Sequence, residues 1–151
     1  MAAVKARRDV KVDHLRGVLL FDGCTDDELQ RIALMADDIA VPAGYVVVYE
    51  GDWGDEVFVV ADGEARVTAG GRTLAVLPAS AVIGELAALH PAPRIATVEA
   101  ATPMRMFVFD RDSFDQLLEE FPLIARRTLE GVAARLQAQA GERAVETDRS
   151  S

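Results

Sequence analysis

Tyr45-Val-Val-Val-Tyr49, Val57-Phe-Val-Val60, Ala65-Arg-Val-Thr68 and Arg72-Thr-Leu-Ala-Val-Leu77 decide the fold. Each run is short and rich in β-branched or aromatic residues, which suit a pleated, half-buried surface. Between them stand Glu50-Gly-Asp-Trp-Gly-Asp55, Asp62-Gly63 and Gly70-Gly71, and Pro78 closes the last run. Turn residues at such regular spacing predict an antiparallel sandwich or barrel. Pro42-Ala-Gly44 supplies a turn ahead of the first run, and Thr97 to Ala101 and Met104 to Phe109 read as two further strands.

Outward from the strands the period changes to that of helices. Thr25-Asp-Asp-Glu28 is a capping box, in which the Thr hydroxyl accepts from the Glu28 amide and the Glu28 carboxylate reaches back. Leu29, Ile32, Ala33 and Ala36 follow at i, i+3, i+4 and i+7, one apolar stripe. A shorter helix is expected within Val12 to Leu20, with Gly23 between the two. Beyond the strands, Phe114, Leu117, Leu118 and Phe121 make a second stripe, and Pro122 predicts a kink. Leu129, Val132, Ala133, Leu136 and Ala140 carry a stripe along a final helix, which can pack on the roll or pair with a second subunit as a homodimer. Gly131 inside that helix costs about 1 kcal/mol relative to Ala; close packing is the plainest reason for it, a hinge the other. Gly141 is expected to end the helix. The organisation expected is an N-terminal arm over 1–11, N-terminal helices over 12–36, strands over 37–109, C-terminal helices over 111–140 and a polar, mobile tail over 141–151.

Composition narrows the function. Of 151 residues, 50% are hydrophobic and 27% charged, the balance of one globular domain. A chain of this length buries roughly 70% of its unfolded surface and needs no disulfide or structural metal. Cys24 is the only cysteine, and His14 and His90, 76 positions apart, are the only histidines. Cys-rich zinc sites, a cupin-like metal enzyme and a Ser-His-Asp triad therefore lack material. The net charge of −9, from 25 acids against 16 bases, disfavours nucleic acid as a partner. No apolar run approaches the ~20 residues that cross a bilayer, and the amino end lacks the apolar core of a signal peptide. A cytoplasmic domain without membrane contact is expected.

One segment carries chemistry: Val82-Ile-Gly-Glu-Leu-Ala-Ala-Leu-His-Pro-Ala-Pro-Arg-Ile-Ala-Thr-Val98. Glu85 sits in an otherwise almost wholly apolar run, where an ionised carboxylate is costly unless partnered. Gly84 lets backbone approach closely, and Leu86 to Leu89 suffice for one helical turn with free amides at its start. Pro91 and Pro93 break the chain before Arg94. A guanidinium near a helix start suits phosphate; a carboxylate there needs a hydroxyl donor. A nucleotide carrying little charge meets both demands, and a ligand-free Glu85–Arg94 ion pair is the competing reading.

Gly84-Glu-Leu-Ala87, followed by Pro93-Arg94 with Ala96-Thr97, resembles the signature of the cyclic nucleotide-binding domain family. The resemblance runs from about Leu20 to about Ala140 and includes the turns at Pro42-Ala-Gly44, Glu50-Gly51-Asp52 and Asp62-Gly63-Glu64. It implies a mainly β fold with flanking helices: an antiparallel jelly-roll-type β-roll (a double-stranded β-helix) with N-terminal helices, a short phosphate-binding helix and C-terminal lid helices. It also implies a ligand site built around Gly84, Glu85, Leu86, Ala87, Arg94, Ile95 and Ala96. Glu85 would accept from the ribose 2′-hydroxyl, and Arg94 would pair with the cyclic phosphate, helped by the Ala87 and Ile95 amides. Val67 and Val82 would lie along purine or ribose, and Arg135 falls where some channel-type members cap the base. Members favouring cyclic GMP commonly carry threonine after the phosphate arginine; Ile95 favours cyclic AMP. The chain departs from the family in having Pro78-Ala-Ser-Ala81 and Val82-Ile83 in place of a glycine turn and two aromatics, which predicts an altered turn and a roomier pocket.

The expectation is a regulatory module without catalysis or cofactor, passing its signal to an effector protein that the sequence does not identify. A degenerate, ligand-free interaction domain is the alternative. A transcription factor of the catabolite activator type is disfavoured, since only 30 residues follow Phe121.

Overall fold

The computed structural model describes residues 10–150. Residues 10–16 are helical (α1), followed by a 3₁₀ turn, η1 (Leu19–Phe21), and α2 (Asp26–Met35). Eight strands come next: β1 (Asp37–Val41), β2 (Val46–Val48), β3 (Val57–Asp62), β4 (Ala65–Ala69), β5 (Arg72–Leu77), β6 (Val82–Ile83), β7 (Thr97–Ala100) and β8 (Met104–Phe109). A short helix, α3 (Glu85–Leu89), interrupts them between β6 and β7, and α4 (Arg111–Glu120) and α5 (Pro122–Ser150) close the chain.

The strands form two antiparallel four-stranded sheets, β1-β8-β3-β6 and β2-β7-β4-β5. This is the β-roll with flanking helices that the turn spacing and the resemblance implied. Two cores result from strand alternation. Val57, Val59, Phe107 and Phe109 face the helices, where they meet Leu15, Phe21, Leu29, Ile32, Phe114, Leu117 and Ile124. Phe58, Val60, Met104 and Met106 point into the roll against Ala65, Ile83, Val98 and Ala100. Being covered on both faces, β3 reads as an unbroken apolar run rather than an alternating one. Phe109 links the layers, its ring 6.4 Å from that of Phe21 and 6.5 Å from that of Phe114.

The helix boundaries differ from expectation in two places. Pro122 does not kink a continuous helix. α4 ends at Glu120, with Phe121 as its C-cap, and Pro122 opens α5, the position where its missing N–H costs nothing. Gly141 does not end α5, which runs on to Ser150, so residues 141–150 are helix rather than a tail. Helical glycine costs stability but does not forbid the conformation. Residues 1–9 of the expected N-terminal arm and Ser151 lie outside the described residues.

The expected capping box forms, and the structure adds a second cap at Asp110. Thr25 and Glu28 exchange their two hydrogen bonds, with Glu28 N to Thr25 Oγ1 at 3.2 Å and Thr25 N to Glu28 Oε1 at 2.9 Å. Asp110 accepts from the Ser113 amide at 2.7 Å at the start of α4. Hydrogen bonds from the Thr25 and Ser113 amides hold the Glu28 and Asp110 carboxyls below their ordinary values. A carboxyl depressed in the folded state adds stability above its unfolded value and loses it as pH falls through the folded one. Thermal stability should therefore drop below about pH 4. Asp110→Asn, which keeps an acceptor but cannot titrate, should make that drop smaller in melts at several pH values.

The β3–β4 turn shows where glycine is required. Gly63 has φ +90°, and a Cβ there would lie 2.4 Å from the Pro103 carbonyl oxygen and 3.0 Å from Met104 Cα. Gly63→Ala should cost about 2 kcal/mol, read as a lower urea midpoint with an unchanged slope.

Candidate ligand-binding site

The segment between β6 and β7 is built around Gly84. It occupies the left-handed region (φ +87°) and caps α3, turning the chain from strand into helix in one residue. A Cβ at this position would lie 2.3 Å from Arg94 Nη1 and 2.8 Å from the Glu56 carbonyl oxygen. Only glycine lets the Arg94 guanidinium lie against this backbone. The first amides of α3 have no carbonyl ahead of them within the helix.

Arg94 is 8% exposed. Its Nη2 donates to the Glu56 carbonyl at 3.0 Å and its Nη1 to the Gly84 carbonyl at 3.5 Å. Its backbone is fixed as well: Arg94 N donates to Asp52 O and Gly51 N to Arg94 O, both at 2.8 Å, while Trp53 bridges Pro93. Burial pushes the guanidinium down from its ordinary value, with the Glu56 and Asp55 carboxylates opposing. Even so, arginine remains charged. Among the described residues it forms no ion pair. Its charge is thus held by carbonyls and not neutralised in contact, which is the state suited to an anion.

Glu85 is 2% exposed. It does not pair with Arg94. Instead Oε1 accepts from Arg135 Nη2 at 2.7 Å, and the same Nη2 lies 3.3 Å from the Val82 carbonyl. Glu85 Oε2 is buried and, among the described residues, has no hydrogen-bond partner. A buried carboxylate oxygen without a donor is unfavourable, so this one is free to accept a hydroxyl.

The structure divides the expected residues: Arg94 lies against Gly84 and lines neither of the two spaces that Glu85 faces. Val82, Glu85 and Arg135 line a cavity of about 530 Å³ between β6, η1 and α5, which also includes Leu19, Ser80 and Thr128. Glu85, Leu86, Ile95 and Arg135 line a small gap with Val132 and Leu136. Ala87 and Ala96 are buried nearby, while Ile95 is 70% exposed. Val67 packs against the roll interior and lines neither of these two spaces. The departure at Pro78 to Ala81 resolves simply: Ser80 takes the left-handed conformation (φ 77°), and its Oγ accepts from Leu19 N at 3.0 Å.

Two features escaped the sequence. The partners of Arg94 are carbonyls of Glu56 and Gly84, and a backbone oxygen leaves no mark in residue identity. Gly54, whose added Cβ would lie 3.1 Å from Arg94 Nη2, was read only as a turn residue. Its signal was the doubled glycine in Glu50 to Asp55. Elsewhere, Cys24 is partly buried, and burial pushes its thiol up, which suits an unreactive side chain. Among the described residues no cluster of His, Cys, Asp and Glu could hold a metal ion, and no helix is long and apolar enough to cross a membrane.

Fold and site together define a ligand-binding β-roll, in which a guanidinium and a half-used buried carboxylate flank a glycine-opened helix. The model of the cyclic nucleotide-binding domain matches residues 39–121, more than half of the sequence, and the chain belongs to that family. It is 37% identical over 90 residues to the cAMP-dependent protein kinase regulatory subunit of Schizosaccharomyces pombe, covering 59% of this chain and 22% of that protein. It is 43% identical over 77 residues to the cGMP-dependent protein kinase egl-4 of Caenorhabditis briggsae, covering 51% of this chain and 10% of that one. The chain thus spans a small part of these relatives. A solved structure described as Sp-2Cl-cAMPS bound to PKAR CBD2 superimposes with a TM-score of 0.73 at 26% identity, covering 90% of this chain and 93% of that one. Domains of this family are regulatory binding modules with a β-roll fold.

Proposed function

We propose that this domain binds cyclic AMP in preference to cyclic GMP and passes the binding event to α5. The observation that carries the reading is the unpartnered Oε2 of Glu85, together with a buried Arg94 held against Gly84 that makes no ion pair, both among the described residues. Glu85 would accept from the ribose 2′-hydroxyl. Arg94 would take the cyclic phosphate together with the amides of Ala87 and Ile95. Gly84, Leu86 and Ala96 shape the wall, Val67 and Val82 lie along the sugar or base, and Arg135 serves as the lid. Ile95 offers no hydroxyl to the guanine amino group, which favours adenine. The signal passes to an effector protein, or across a homodimer formed by the stripe of exposed Leu129 and Leu136 with half-buried Val132. The domain itself catalyses nothing and acts in the cytoplasm, without nucleic-acid or membrane contact.

A second reading is supported by one contact. Arg135 already neutralises Glu85, so a degenerate domain could keep this geometry as a ligand-independent interaction module. Titration calorimetry with both nucleotides separates the two. Saturable binding with cyclic AMP the tighter is expected. Tighter cyclic GMP would overturn the base assignment, and heat from neither would overturn the binding function in favour of the interaction module.

A further inference from the structure

A guanidinium is placed only as well as the main chain that carries it. The Arg94 main chain lies against the turn at residues 49–53: Gly51 N donates to Arg94 O and Arg94 N to Asp52 O, both at 2.8 Å, and Trp53 bridges Pro93. This exchange of two hydrogen bonds is a short antiparallel pairing. It fixes Arg94 no better than the turn itself is fixed.

Apolar burial does little to hold that turn. Tyr49, Glu50, Gly51, Asp52 and Trp53 are all exposed, and the β2–β7 ladder leading into them ends at Val48 opposite Val98. Beyond the 93–94 segment, the turn makes two hydrogen bonds to other parts of the described chain, and both belong to Glu50. Its amide donates to Thr97 Oγ1 on β7 at 2.9 Å, and its Oε2 accepts from the Gly70 amide at 3.1 Å. Gly70 stands at the tip of the β4–β5 hairpin, with φ +57°. One residue thus joins the turn to both a strand and a hairpin of the second sheet.

Glu50 does this without drawing on the Arg94 charge. The carboxylates that act on that guanidinium are those of Glu56 and Asp55. Glu50 gives its carboxylate to the hairpin, and among the described residues it forms no ion pair with Arg94. A carboxylate bonded to the guanidinium would compete with a phosphate for the same donors.

We infer that Glu50 is a positioning residue for the anion site: it clasps the β2–β3 turn to β7 and to the β4–β5 hairpin, and the clasped turn fixes the main chain of Arg94. That Arg94 receives a phosphate rests on the cyclic nucleotide reading; the clasp itself does not.

Calorimetry and residue-resolved amide exchange by NMR on the full chain test it. Glu50→Ala should weaken cyclic AMP binding about fivefold, the worth of one ordinary hydrogen bond. Glu50→Gln keeps an acceptor oxygen and should restore native affinity. Thr97→Val removes the acceptor on β7 while suiting a strand, and should weaken binding to a similar extent. In ligand-free protein, Glu50→Ala should speed exchange of the Gly51 and Arg94 amides about fivefold. The Val60 amide, bonded to Ala81 O inside β3, should exchange as before, whereas a general loss of stability would speed all three. Equal rises at Gly51, Arg94 and Val60, no rise at Gly51 and Arg94, or native affinity in Glu50→Ala would overturn the positioning role. If neither cyclic nucleotide binds the native chain, the cyclic nucleotide reading fails, and the exchange comparison alone decides whether Glu50 fixes Arg94.

Discussion

Arg94→Ala is expected to weaken cyclic nucleotide binding by one to two orders of magnitude and to leave the roll folded. A charge-assisted hydrogen bond to a phosphate contributes about 1.5–3 kcal/mol, and each 1.4 kcal/mol is about tenfold in affinity. The local amides are neutral donors and replace little of this. The fold should survive because Arg94 belongs to neither hydrophobic core and its side chain contacts protein through two carbonyls. Calorimetry gives the affinity, and circular dichroism melts give the fold. Native-like affinity in a folded variant would remove Arg94 from the phosphate site.

Gly84→Ala is expected to lose as much binding as Arg94→Ala, or more, although the added group is one methyl. Two costs coincide there. The residue must hold φ +87°, which costs about 1–3 kcal/mol for a residue with a side chain. The methyl must also occupy space 2.3 Å from Arg94 Nη1 and 2.8 Å from Glu56 O. Arg94 can swing away, but the Glu56 backbone in the β3 approach cannot, so relief comes at the expense of guanidinium position or of the α3 start. Calorimetry should read weak or absent binding, with a melting temperature lowered by several degrees. Tight binding by this variant would mean that Arg94 works from another position.

How far the residues alone foretold this arrangement depended on how local each determinant was. The capping box at Thr25 and Glu28 involves neighbours three positions apart and was legible. The strands were legible for a similar reason, since β-rich runs and turn glycines alternate along the chain. Glu85 and Arg94 stood out as charges in apolar company, nine positions apart. What stayed hidden was set by distant partners. Arg135 meets Glu85 across 50 positions of chain, and Arg127 meets η1 across more than 100. Pro122 was ambiguous because a proline between two stripes suits a kink and a fresh helix start equally well until the C-cap at Phe121 is seen.

The most direct test is a crystal structure of the chain grown with cyclic AMP, examined at the two charged side chains. The account predicts the Arg94 guanidinium on the cyclic phosphate and a Glu85 carboxylate oxygen on the ribose 2′-hydroxyl. Density with the nucleotide bound elsewhere, Arg94 still on the Glu56 and Gly84 carbonyls and Glu85 Oε2 still without a donor would contradict it.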